Sequence, residues 1–308
     1  MNLISIRDLS PGEVEAILDR ADELKARRCD PFARSILAGK SLAAIFEKPS
    51  TRTRVSLEVA MADLGGHALY LSTKDLQLGR GETIADTARV LSRFVHAIAA
   101  RVYDHKTVEE LGRYAEVPVI NALSDLEHPC QILADLMTVR ERFGRLAGLK
   151  VAWVGDGNNV CNSTILAAAM MGMEMAVAAP PGYEPDRKIL DQAESLGGRT
   201  VVVADPLEAV RGADVVSTDT WVSMGDEAEA AKRVEAFRRY QVNSDLLRHA
   251  KDDAIVLHCL PAHRGQEITD EVMDGAQVRD PGPEREPAPF GEGGAGEASG
   301  LRSPRASK

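Results

Sequence analysis

An α/β fold with two parallel sheets is the class this sequence predicts, on three observations. Short apolar runs alternate with helical periodicity along most of the 308 residues, the pattern of strands linked by crossover helices. A polar stretch over residues 140–150, with Gly144 and Gly148, divides the alternation and reads as a domain junction. Polar and charged residues gather where apolar runs end, the edge of a parallel sheet at which ligands bind. The length suffices for two domains of ordinary size. Hydrophobic residues are 44% but aromatics only 4%, so the core must be built from Ala, Val, Leu, Ile and Met.

Taken in order, Ser10-Pro11-Gly12-Glu13 has the features of a helix start: a capping hydroxyl, proline in the first turn and an acid beside it. Val14, Ile17, Leu18, Ala21 and Leu24 follow at helical spacing, so this is a surface-packed helix without chemistry. Ser41–Phe46 reads as a buried strand and runs into Glu47-Lys48-Pro49-Ser50-Thr51-Arg52-Thr53-Arg54. Ser50 or Thr51 caps the next helix, whose apolar positions are Val55, Leu57, Val59, Met61 and Leu64. Unpaired N–H groups and the dipole at that helix start suit an anion. The hydroxyls and the guanidinium groups of Arg52 and Arg54 add donors matched to phosphate oxygens.

Gly65-Gly66 ends that helix, and residues 67–71 form the second strand. A glycine-bearing loop with Gln77 leads to a helix carrying Thr83 and Asp86 in its first turn. The third strand, 97–102, ends in Arg101-Val102-Tyr103; a charge at a strand's C-terminal end points to the crevice where ligands bind, although a surface ion pair is the plainer reading of Arg101 by itself. After the fourth, 117–120, come Asn121, Ser124, Asp125 and His128-Pro129-Cys130-Gln131, with His128 and Gln131 three apart at a helix start and able to face one ligand. Beyond the junction, 151–154 is a strand followed by Gly155-Asp156-Gly157-Asn158-Asn159-Val160 and a small-residue helix. The Gly-x-Gly pair suggests a dinucleotide site, but Val160 stands at the third glycine position and Pro180-Pro181 where a ribose-binding acid belongs. An NAD-dependent dehydrogenase is therefore a weak alternative.

Further strands are expected at 175–179, 200–203, 214–218 and 254–257. The loop Asp219-Thr220-Trp221-Val222-Ser223-Met224-Gly225 can hold a cationic amine on Asp219 and close through Gly225. The last strand runs into His258-Cys259-Leu260-Pro261. Neighbours in a strand point to opposite faces, so His258 is not a simple base for Cys259.

The net charge of −10 argues against a general nucleic-acid or anionic-membrane binder. Cys29, Cys130, Cys161 and Cys259 show no C-x-x-C pair and no metal-ligand spacing, the N-terminus has no signal pattern, and no apolar run reaches a membrane span. A reducing cytoplasm is the simplest location.

The Ser50–Arg54 run, Arg101, the His128–Gln131 run, the Asp219–Gly225 loop and His258-Cys259-Leu260-Pro261 together resemble the aspartate and ornithine carbamoyltransferase family, most closely its ornithine branch. The resemblance covers Met1 to about Gln277. It implies two doubly wound domains with the active site in the cleft between them: residues 1–145 for carbamoyl phosphate and 146–280 for ornithine. It further implies carbamoyl transfer to the δ-amine of L-ornithine, giving L-citrulline and phosphate, a step of arginine biosynthesis that needs neither metal nor organic cofactor. Carried over by position, Ser50, Thr51, Arg52 and Thr53 hold the phosphate, supported by Gln77. Arg101, His128 and Thr53 polarise the carbamoyl oxygen, while Gln131 and the carbonyl groups of Cys259 and Leu260 orient its NH₂. Asn159, Asp219, Ser223 and Met224 bind ornithine, and Cys259 sits beside the attacking amine as a positioning group. A homotrimer is also implied.

After Gln277 the family pattern stops. Residues 281–308, rich in Pro, Gly, Glu and Arg, read as a disordered tail where family members carry a helix with an Arg that contacts carbamoyl phosphate. A reading-frame change is the expectation for that switch, and a folded but weakly active or inactive member is the alternative it raises.

Overall fold

The structure, a computed structural model, describes residues 1–28, 30–74, 76–77, 81–222, 227–275 and 277–279. Two parallel sheets are present. The first holds β1 (Ser41–Phe46), β2 (His67–Ser72), β3 (Ala97–Arg101) and β4 (Val119–Leu123) in the order β2-β1-β3-β4. The second holds β5 (Lys150–Val154), β6 (Glu174–Ala178), β7 (Arg199–Val203), β8 (Val215–Thr218), β9 (Ile255–His258) and β10 (Val278–Arg279) in the order β10-β9-β8-β5-β6-β7. In each sheet the chain starts mid-sheet and winds outward both ways, the doubly wound plan. The helices are α1 (Pro11–Ala26), α2 (Thr51–Asp63), α3 (Ile84–Ser92), α4 (His105–Tyr114), α5 (Pro129–Phe143), α6 (Asn159–Met170), α7 (Arg187–Ser195), α8 (Pro206–Val210), α9 (Ala230–Phe237), α10 (Ser244–Leu247) and α11 (Asp270–Met273).

Register carries the candidate residues to matching edges. Phe46 and Leu123 both pair with Arg101, so the loops after β1, β3 and β4 leave the first sheet side by side. Trp153 pairs with Ser217 and Thr218 with His258, which brings Gly155, Asp219 and Cys259 to one edge of the second.

The fourth strand begins two residues later than expected. Pro118 has no N–H for a ladder; its carbonyl accepts from Ile98 N at 2.9 Å, and the strand runs on through Asn121. That polar residue tolerates full burial because its Nδ2 donates to Ile4 O at 2.9 Å. The junction is also shorter than the polarity of residues 140–150 suggests. α5 continues to Phe143 and stops at Gly144, left-handed at φ +70°. Arg140 lies within α5 and reaches Asp19 and Asp22 of α1 at 2.7 and 2.6 Å. One core runs through Val14 and Leu18 of α1, Ile132 and Leu136 of α5, and Trp153, Ile165 and Leu166 of the second unit. The first helix packs on α5, and α5 packs in turn on α6, so one continuous core joins the two units.

Candidate active site

The wall expected to take an anion is built at the start of α2. Ser50 is the extended N-cap residue, and its Oγ accepts from Thr53 N at 3.3 Å. The same hydroxyl donates to Thr53 Oγ1 at 3.1 Å, and Arg101 Nη1 donates to that oxygen at 3.3 Å. Arg101 is only 7% exposed, so it is a buried donor at the strand end rather than the surface ion pair that composition favours. Burial lowers its pKa, and the charge of Arg52 reinforces the lowering. Ser50, Thr53 and, from a distant strand end, Arg101 are therefore close enough to act on one charge. Thr51 and Arg52 stand exposed at the mouth. Arg54 does not join them: it pairs with Glu58 at 2.9 Å and lies over the Tyr70 ring at 3.9 Å. Its side chain leaves α2 on the outer face, so its expected part in anion binding is withdrawn.

His128 occupies the N-cap position of α5, its backbone N–H donating to Ser163 Oγ of α6 at 2.9 Å. Burial, and then the charge of Arg101, holds the imidazole down at about 3. It is a neutral ring with Nδ1 unpartnered among the described residues, fit to polarise an oxygen without carrying charge. Gln131 donates Nε2–H to Asp135 Oδ1 at 3.0 Å, which leaves its carbonyl oxygen to accept from a ligand.

The pKa of His128 has a consequence for stability. The unfolded ring titrates near its ordinary 6.5, the folded ring near 3. Between those values the unfolded chain takes up a proton that the folded chain does not, so stability falls as pH is lowered through that window. His128→Gln is expected to flatten the dependence of melting temperature on pH between 7 and roughly 4.5. An unchanged slope would mean that the folded ring is protonated.

The opposite wall centres on Asp219, 6% exposed. Its Oδ1 accepts from Cys259 Sγ at 2.9 Å and from Thr220 N at 2.7 Å; its Oδ2 accepts from Asn158 Nδ2 at 2.7 Å. Among the described residues no cation pairs with this buried carboxylate. Burial first, and then the neighbouring Asp219, pushes the Cys259 thiol well above its ordinary range, so it is a thiol that donates and not a thiolate. Asn159 donates to Ser124 O at 2.7 Å, tying the start of α6 to the loop before His128. Gln77 is exposed on the loop after β2, without a side-chain hydrogen bond to the others among the described residues. Ser223 and Met224, with Gly225 and residues 281–308, lie outside the described residues.

The dinucleotide reading fails at Gly157. A Cβ there would meet Pro185 N at 2.3 Å and Glu184 C at 2.5 Å. The space that a fingerprint glycine keeps clear for a pyrophosphate is filled here by the protein's own backbone.

Two family models divide the chain much as its two sheets do. The aspartate/ornithine carbamoyltransferase carbamoyl-P binding domain matches residues 1–141, and the Asp/Orn binding domain of the same family matches residues 147–279. The chain belongs to the aspartate/ornithine carbamoyltransferase family. It is 60% identical over 276 residues to the ornithine carbamoyltransferase of Methanoculleus marisnigri, covering 90% of this chain and 89% of that one. It is 59% identical over 278 residues to that of Carboxydothermus hydrogenoformans, covering 89% of each. Among solved structures, the ornithine carbamoyltransferase from Pyrococcus furiosus is 55% identical, with a TM-score of 0.86 over 91% of this chain and 90% of that chain. The described residues include no helix long and apolar enough to cross a membrane.

Several residues of this carbamoyltransferase-family site escape sequence reasoning. Asp135 stands four residues after Gln131, a helical spacing that signals the contact. Asn158, rather than its neighbour Asn159, is the one that reaches Asp219, and only the cap geometry of α6 separates the two. Lys48 is buried with Nζ 4.3 Å from the Tyr103 ring centroid. The fold also brings Cys259 near two potential ligand groups that chain spacing does not reveal. Asp219, His258 and Cys259 each offer a ligand atom within 4.8 Å of the others. These atoms are already engaged: the thiol with Asp219, His258 Nδ1 with Leu260 N–H at 2.9 Å, and its Nε2 with Glu267 Oε1 at 3.2 Å. The proximity of Cys259 to a His258 ring nitrogen does not make a nucleophile–base pair, because neither ring nitrogen is directed to the thiol.

Proposed function

We propose that this chain transfers the carbamoyl group of carbamoyl phosphate to the δ-amine of L-ornithine, producing L-citrulline and phosphate, a step of arginine biosynthesis. The observation that carries the reading is a buried carboxylate, Asp219, without a cation among the described residues and beside the Cys259 thiol, in a chain whose other unit sets the buried Arg101 against the capped start of α2. An amine-bearing substrate supplies the missing positive charge, and a phosphate supplies the anion. Residues 1–145 form the carbamoyl-phosphate unit and 146–280 the ornithine unit.

The phosphate sits on the N–H groups opening α2, with Ser50, Thr51, Arg52 and Thr53, and Gln77 supports the loop. Arg101, neutral His128 and Thr53 donate to the carbamoyl oxygen as it gains negative charge. Gln131 and the carbonyl groups of Cys259 and Leu260 accept from the carbamoyl NH₂ and turn its carbon toward the amine. Asn159, Asp219, Ser223 and Met224 hold ornithine. The δ-nitrogen, ordinarily protonated near ~10 like lysine, must lose its proton before its lone pair attacks. The new N–C bond forms, the bond between the carbamoyl carbon and the phosphate oxygen breaks, phosphate leaves with the electron pair, and the proton that the attacking nitrogen sheds goes to the leaving phosphate. The reaction as written needs no cofactor. Cytoplasmic location is part of the same proposal and fits the free thiols of Cys130, Cys161 and Cys259.

The test is citrulline formation by the purified chain, required to depend on both substrates. A chain that binds both and forms none sinks the proposal. Arg52→Ala removes one charge-assisted hydrogen bond from the phosphate, about 1.5–3 kcal/mol, so KM for carbamoyl phosphate is expected to rise by roughly 10- to 100-fold. Ornithine saturation should change little, and an unaltered carbamoyl-phosphate KM would remove Arg52 from the site.

We further propose a homotrimer. Val55 and Val59 of α2 are 50% and 36% exposed, and Leu69 on edge strand β2 is 39% exposed. This apolar face adjoins the phosphate loop and suits burial against another copy. Sedimentation is expected to give about three times the 33.2 kDa chain mass; a monomer at micromolar concentration would contradict it.

A further inference from the structure

The turn that offers the carbonyl groups of Cys259 and Leu260 is held in an uncommon shape. Leu260 has φ +54°, the only positive φ at a non-glycine residue among those described. A leucine keeps that conformation only where its surroundings enforce it. The enforcing contact is local: Leu260 N–H donates to His258 Nδ1 at 2.9 Å. A backbone N–H can only donate, so Nδ1 carries no proton and the ring hydrogen sits on Nε2. Nε2 faces Glu267 Oε1 at 3.2 Å, with His258 3% exposed and Glu267 fully buried.

Glu267 also accepts from His263 N, and the His263 ring meets Thr220 Oγ1 at 3.0 Å, one residue from Asp219. This network thus joins the turn with the carbonyl groups to the loop with the carboxylate.

We infer that His258 and Glu267 are a positioning pair for the transfer reaction: Glu267 selects the Nε2–H tautomer of His258, and that tautomer aims the Cys259 and Leu260 carbonyl groups at the carbamoyl NH₂. The inference rests on the proposed carbamoyl transfer. It assigns neither residue a contact with substrate. The signature follows from the two nitrogens having separate jobs. Asparagine at 258 places its Oδ1 where it accepts from the N–H two residues on, the bond of an Asx-turn, but does not reach Glu267. Glutamine reaches Glu267 but lacks the near acceptor. A merely structural role, in which burying Glu267 is what matters, makes glutamine the milder change.

The experiment compares His258→Asn and His258→Gln with wild type in citrulline assays, varying each substrate, with melting temperature measured alongside. Nitrogen-15 NMR of histidine-labelled wild type reads the tautomer. The expected result is a loss of about 10-fold or more in kcat/KM for carbamoyl phosphate in His258→Gln, with His258→Asn retaining most activity. An Nε2–H signal from a neutral His258 is expected in wild type. Equal losses in the two variants, or losses that follow melting temperature, overturn the inference. So does a ring protonated on Nδ1, a measurement that stands even where a variant does not fold. Wild type that forms no citrulline would instead overturn the proposed function, and the tautomer would still judge the pair.

Discussion

Arg101→Ala is expected to lower kcat by about 10²- to 10³-fold, the scale of losing one preorganised oxyanion donor. The guanidinium is 7% exposed and fixed by Thr53 at 3.3 Å, so its dipoles are in place before charge develops. A surface arginine would have to be ordered first and would work against water's screening. The change also removes the charge that helps keep His128 neutral, although burial, the larger cause, remains. Arg101→Lys should recover only part of the loss, since an ammonium cannot reach Thr53 and the carbamoyl oxygen with one planar fork. Steady-state kinetics with both substrates saturating checks this. A kcat within threefold of wild type would place Arg101 outside the reacting centre.

Asp219→Asn is expected to cost about 2–5 kcal/mol in kcat/KM for ornithine, roughly 30-fold or more, as for one partner of a buried hydrogen-bonded charge pair. Two effects add. The amide gives no charge to a cationic amine. It also presents its NH₂ to donors on one side or the other: Oδ1 accepts from Cys259 Sγ and Thr220 N, and Oδ2 from Asn158 Nδ2. Either orientation sets a donor against a donor. Carbamoyl-phosphate KM should move much less. Normal ornithine saturation with defective carbamoyl-phosphate saturation would mean that the two substrates have been placed on the wrong walls.

Much of this fold was legible residue by residue. β1 was placed correctly at both ends because Ser41–Phe46 is an apolar run bounded by polar residues. The cap of α1 was equally readable, since Ser10 and Glu13 form a capping box using only residues within one turn. Where the reading failed, the deciding partner was distant in sequence. Arg140 was assigned to a junction because its neighbours are polar, yet its partners Asp19 and Asp22 lie in another helix. Arg54 was grouped with Arg52 by adjacency, and the turn of α2 separates them.

The sequence by itself determined the alternation of strands and helices, the capped helix start at Ser50–Thr53, and the set of residues that resembles the carbamoyltransferase family. These depend on local propensity, capping and order along the chain, all of which act within a few residues. Only the tertiary structure decided that Arg101 is buried against Thr53, that Asp219 gathers three donors without a cation among the described residues, and that His258 turns to Leu260 and Glu267. Hydrogen-bond direction and desolvation depend on what the fold places within about 3 Å, and strand register brings together residues that the chain holds far apart.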